Sequence, residues 1–145
     1  EAMAYVADYL GMAKIRVYEV ATFYSMINLK PVGKHLLQLC RTTPCWLRGS
    51  DELLDACKKY LNIELGETTS DGQFTLVEVE CLGACVNAPM IQINDDYFED
   101  LDPNKLEKII EMINQSKTPE PGSYRGRKSS KPENFRKTLL ENKNA

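Results

Sequence analysis

Four of the chain's five cysteines fall into two tight pairs. Cys40 and Cys45 are separated by four residues (C-x4-C) and Cys81 and Cys85 by three (C-x3-C), with 35 residues between the pairs. Each pair opens where a β-like apolar run stops. His35-Leu36-Leu37-Gln38-Leu39 runs into Cys40, and Phe74-Thr75-Leu76-Val77-Glu78-Val79-Glu80 runs into Cys81. Between the runs, Thr43-Pro44 reads as an N-cap and first-turn residue, predicting a helix over about 44–61, interrupted near Gly49-Ser50. Its apolar stripe is Leu47, Leu53, Leu54, Cys57, Tyr60 and Leu61. Strand, helix and strand in that order form a right-handed crossover, which brings the C-terminal ends of both strands to one sheet edge. The four thiols would meet there.

The rest of the chain extends this unit. Asp71-Gly72 marks a turn before the second strand, and Met90-Ile91-Gln92-Ile93-Asn94 reads as a third strand. A tight turn at Asp95-Asp96 then leads into a returning Tyr97-Phe98-Glu99. Asp102-Pro103 starts a helix whose buried face is Leu106, Ile109, Ile110 and Ile113. The order β-α-β, β-hairpin, α is that of a thioredoxin-like α/β domain, a central sheet with flanking helices, placed over residues 31–116. Residues 1–30 read as a partial N-terminal helical unit. Met3, Val6, Ala7 and Leu10 share one face, Gly11 ends that helix, and Val17, Val20, Ala21, Tyr24 and Ile27 form a second stripe. The first pattern has no start signal, so this unit reads as incomplete. Residues 117–145, with Pro119, Pro121, Gly122 and Pro132, read as an extended tail with a short helix at 133–141.

Charge excludes several function classes. The net charge is −3, but residues 1–116 carry 10 Lys/Arg against 18 Asp/Glu and residues 117–145 carry 8 against 3. An acidic body does not suit nucleic acid, and the basic tail, short of interleaved aromatics, reads as a solvated or partner-binding segment. No run approaches the ~18 apolar residues of a membrane span. The chain has no phosphate-cradling glycine loop, nucleotide fingerprint or Ser–His–Asp set.

Three occupants of the thiol site compete on these residues. A disulfide could close either pair, but a C-x-x-C redox motif is absent. Four cysteines also bind Zn²⁺ well, although its usual knuckles are C-x2-C and both spacings here are longer. A [2Fe–2S] cluster is larger than one ion, and its two irons can each take a separated pair of thiolates. Such a centre is anionic. Cys45 in the first turn of a helix, the nearby Arg41 and Arg48, and the small Gly83 and Ala84 between the second pair all favour it. The sole histidine, His35, excludes a Rieske centre and reads as a plain strand residue. Cys57 reads as a core side chain, and Trp46 either shields the site or simply packs.

The segments Cys40-Arg-Thr-Thr-Pro-Cys45 with Trp-Leu-Arg-Gly-Ser-Asp after it, Glu80-Cys81-Leu-Gly-Ala-Cys85-Val-Asn-Ala-Pro-Met90, Val17-Tyr-Glu-Val-Ala-Thr-Phe-Tyr24 and Asn28-Leu-Lys-Pro-Val-Gly33 resemble a known family. It is the thioredoxin-like [2Fe–2S] subunit of respiratory complex I, in its mitochondrial form, and the likeness covers roughly residues 3–116. The resemblance implies that Cys40, Cys45, Cys81 and Cys85 ligate the irons of a [2Fe–2S] cluster, with no catalytic residue on this chain. It implies an electron-transfer subunit of NADH:ubiquinone oxidoreductase, exchanging single electrons with the FMN of an adjacent flavoprotein 1 subunit that oxidises NADH. The large iron–sulfur subunit would be a further partner, and the location would be the matrix side of the inner mitochondrial membrane. NAD-linked hydrogenases and formate dehydrogenases share the cysteine pattern, and a zinc-stabilised interaction module is the reading from another class.

Overall fold

In the computed structural model, residues 1–128 and 130–131 are described, so the helix expected at 133–141 lies outside the described residues. The chain divides into two compact units, Glu1–Val32 and Gly33–Ala145. In the first, α1 (Ala2–Leu10) ends on Gly11 in the left-handed conformation (φ 63°), and α2 (Lys14–Phe23) follows. The Met12 N–H donates to the Ala7 carbonyl across this turn, tying off a carbonyl the helix leaves open. The stripes read from the sequence meet here: Met3, Val6, Leu10, Val17, Val20 and Ile27 line an apolar cleft of about 550 Å³.

The second unit is a five-stranded sheet in the order β2-β1-β3-β4-β5. Its strands are β1 (His35–Cys40), β2 (Phe74–Val79), β3 (Ile91–Ile93), β4 (Asp96–Glu99) and β5 (Gly122–Ser123). β1 runs parallel to β2 and antiparallel to β3, β3 and β4 form the hairpin, and β5 joins parallel to β4. Among the described residues its helices are α3 (Thr43–Leu47), α4 (Ser50–Leu61) and α5 (Pro103–Asn114). Leu37, Leu39, Leu76 and Ile91 from the strands meet Leu53, Cys57, Leu106 and Ile109 from the helices in one buried core. Asp102 caps α5 as expected, its carboxylate accepting from the Lys105 N–H at 2.9 Å.

Glycine is required at Gly33, where the chain enters β1. A Cβ there would lie 2.8 Å from the Phe74 carbonyl carbon, because the backbone presses on β2 and the Gly33 N–H donates to the Thr75 hydroxyl. Thr75 is therefore buried yet satisfied.

The interruption expected near Gly49-Ser50 is there, Gly49 at φ 96° dividing the crossover into two helices, whereas other local details depart from the sequence reading. Thr42, not Thr43, occupies the position before α3, and Leu47 points outward at 70% exposure instead of joining the stripe. The hairpin turns at Asn94-Asp95, one residue early, since Asn94 adopts φ 54° and its side chain bridges to the Leu36 N–H and the Lys34 carbonyl. The start of the basic segment is not simply extended, as β5 adds a strand and Tyr124 packs against the core.

Two substitutions test this packing by urea unfolding. Leu106→Ala removes a fully buried side chain and is expected to lower stability by about 2–5 kcal/mol. Gly33→Ala, which forces β1 off β2, is expected to cost about 1–3 kcal/mol.

Candidate metal centre

The parallel ladder delivers the thiols. Cys40 closes β1 opposite Val79, the last residue of β2, so Cys81 follows two residues beyond the same edge. Cys45 returns from the first turns of α3, and Cys85 opens a 3₁₀ turn, Cys85–Asn87. All four sequence-predicted residues are thereby brought together. Cys81 Sγ and Cys85 Sγ lie 3.3 Å apart. Cys40 is near enough to Cys45 and Cys81 to alter their acidity. Cys57 sits apart in the core, its thiol pushed up to about 12 by burial, as its place on the α4 stripe suggested.

The site has two faces. Cys40 and Cys45 are each 1% exposed and pack with Ala88 and Met90, against Leu82, Ala84 and Tyr97. Cys85 is half-buried and Cys81 is exposed. The thiols also differ in acidity. Burial alone would raise Cys40, but the Thr42 hydroxyl and N–H, the Cys45 thiol and the Leu82 N–H together hold it below the ordinary thiol value. Cys81 is lowered by the Gly83 N–H first and then by Cys85. Burial, followed by the neighbouring Cys40, pushes Cys45 up to about 12. Cys85 rises beside Cys81. One sulfur in each pair is thus the more readily deprotonated, and the thiolate is the form that binds metal.

Several contributors were missed from the sequence. The Thr42 hydroxyl sits 3.4 Å from Cys40 Sγ; a threonine two residues after the cysteine is a legible signal for such a local bond. The Asp100–Arg127 pair had no local signal. The Arg127 guanidinium forks onto both Asp100 carboxylate oxygens at 3.1 Å and donates to the Val86 carbonyl at 2.6 Å. It ties the strand after α5 to the turn that carries Cys85. Arg41, expected to lend charge to the site, instead bridges Asp51 and Glu78 at 2.7 and 2.8 Å. The helix at Cys45 has only five residues, so its dipole is slight.

Among the described residues, no three His, Cys, Asp or Glu side chains are arranged to hold a single metal ion. Cys81 and Cys85 are in direct contact, and Cys40 acts on the acidity of both Cys45 and Cys81. A family model described as thioredoxin-like [2Fe–2S] ferredoxin matches residues 1–114. The chain belongs to that family. The family's cofactor is a [2Fe–2S] cluster, and four thiols, one of each sequence pair lowered from its ordinary value, form a donor set that fits it. An NADH-quinone oxidoreductase subunit from Rickettsia bellii (strain RML369-C) is 61% identical over 112 residues, which are 77% of this chain and 67% of that protein. NADH dehydrogenase (ubiquinone) flavoprotein 2, mitochondrial, from Dictyostelium discoideum is 49% identical over 140 residues, 97% of this chain. The chain spans 57% of that relative's length. The crystal structure of an NAD+-reducing [NiFe]-hydrogenase in the air-oxidised state superposes on 79% of this chain and 20% of its own with a TM-score of 0.70. At 20% identity, that likeness carries the thioredoxin-like fold alone.

The Asp100–Arg127 latch has a pH signature. Burial would raise the Asp100 carboxyl, but Arg127 and Ser123 outweigh it and hold it below the ordinary carboxylate value. Because the folded value is the lower one, the stabilisation is complete at neutral pH and disappears as pH falls through the depressed value. Asp100→Asn is expected to be less stable than wild type at neutral pH, with the difference shrinking as pH falls below the ordinary carboxylate value. Urea midpoints across that range check this, and a constant difference would contradict it.

Proposed function

We propose that this chain is an electron-transfer subunit of an NADH:ubiquinone oxidoreductase and that Cys40, Cys45, Cys81 and Cys85 ligate its [2Fe–2S] cluster. The observation that carries the reading is the meeting of these four thiols at one sheet edge, from segments 35 residues apart. Identity of 61% to the bacterial NADH-quinone oxidoreductase protein and 49% to a mitochondrial flavoprotein 2 supports the assignment to complex I over a hydrogenase. When bound, the cluster accepts and returns one electron at a time. The residues of this chain hold it and set its surroundings. Cys40 and Cys45 anchor it to the core, while Met90 and Ala88 keep water from that side. Cys81 and Cys85 would hold its other side towards the surface, where a partner could approach it.

The electron partner is then a separate FMN- and NADH-binding flavoprotein subunit, with the large iron–sulfur subunit of the complex beside it. Likeness to the Dictyostelium protein over 97% of the chain supports a place in the matrix arm at the inner mitochondrial membrane. Among the described residues, no helix is long and apolar enough to cross a membrane.

Membership of the thioredoxin-like [2Fe–2S] ferredoxin family supports two irons over one zinc ion. Metal and sulfide analysis of the purified chain is expected to find two irons and two labile sulfides. Cys57→Ser should keep them, and Cys81→Ser should lose most of the bound iron and the visible absorption. Stoichiometric zinc without sulfide, or equal loss in both variants, would overturn the assignment.

A further inference from the structure

Tyr97 lies on β4, opposite Gln92 of β3, and its half-buried ring packs against the cluster of Cys40, Cys45, Ala88 and Met90. Its hydroxyl donates to the Leu82 carbonyl at 2.8 Å. That carbonyl and the Gly83 N–H are the two ends of one planar peptide unit. The other end donates to Cys81 Sγ at 3.4 Å. Gly83 holds φ 85° here, and a Cβ would meet nothing within 4 Å. The backbone turn therefore asks for glycine, and crowding does not. A continuous chain of hydrogen bonds thus runs from the Tyr97 hydroxyl through the Leu82–Gly83 peptide to the Cys81 sulfur. Bonds in such a chain polarise one another, so a donor on the carbonyl strengthens the N–H at the far end.

We propose that Tyr97 is a positioning residue for Cys81. Through the Leu82–Gly83 peptide, its hydroxyl orients and strengthens the N–H donated to that sulfur. The proposal rests on the reading of Cys81 as a cluster ligand. Hydrogen bonds to ligand sulfurs stabilise the more negative, reduced state and raise the reduction potential. A tyrosine that only filled space beside Met90 would leave the potential unchanged when its hydroxyl is removed, because phenylalanine fills the same space.

The test is a redox titration of the full chain carrying its cluster, as wild type, as Tyr97→Phe, and with fluorotyrosine at position 97, a stronger donor of nearly the same shape. The midpoint potential is expected to fall in Tyr97→Phe and to rise with fluorotyrosine. Pulsed EPR of the reduced protein is expected to show weaker coupling to exchangeable protons in Tyr97→Phe. Unchanged potentials across the series overturn the proposal. If Tyr97→Phe fails to hold a cluster, the fluorotyrosine shift decides alone, its absence overturning the proposal. Cys81→Ser separates the two layers. If it keeps the wild-type spectrum and potential, the ligand assignment falls. If it loses the cluster while the Tyr97 series stays flat, only the role of Tyr97 falls.

Discussion

The parallel pairing of β1 with β2 holds the domain and its thiol site in one frame. Its register sets Cys40 against Val79 and His35 against Phe74, so the two strands stop level. A one-residue slip would turn every side chain of one strand to the opposite face, carrying Leu37 and Leu39 out of the core and Cys40 away from the site. Burial of Leu37, Leu39, Phe74 and Leu76 therefore fixes the fold and the spacing of the thiols together. The close approach at Gly33, with its bond to Thr75, locks the same register from the opposite end.

Around that edge the protein builds an uneven environment. One thiol pair faces a packed wall and the other faces the surface, and within each pair one thiol is lowered from its ordinary value while its neighbour is raised. The donors that create this pattern are mostly backbone N–H groups and short hydroxyls, not formal positive charges. Arg41 is taken up by Asp51 and Glu78, and Arg127 is held by Asp100. Negative charge at the sulfurs is thus met by fixed dipoles, which need little rearrangement when an electron arrives or leaves.

What was legible in the sequence was what is local. The apolar runs ending at Cys40 and Cys81 identify the strands, the α5 stripe and the Asp102 cap identify that helix, and Cys57 is recognisable as core from its stripe. A boundary set by a single backbone angle was less legible, because Asn94 takes positive φ in a segment whose composition also suits the neighbouring Asp95-Asp96 turn. Least legible were contacts across the fold. Tyr97 reaches Leu82 from the hairpin and Arg127 reaches Asp100 from beyond α5. No periodicity announces either partner; only the closed sheet places them together.

If the four thiols hold one cluster that carries single electrons, the purified chain must show it in a potentiometric titration followed by EPR. The expected signal is silent when oxidised, appears on reduction with one-electron Nernst behaviour, and integrates to one spin per chain. A chain that remains EPR-silent and colourless throughout, with its thiols bound to zinc or closed as disulfides, would contradict that role.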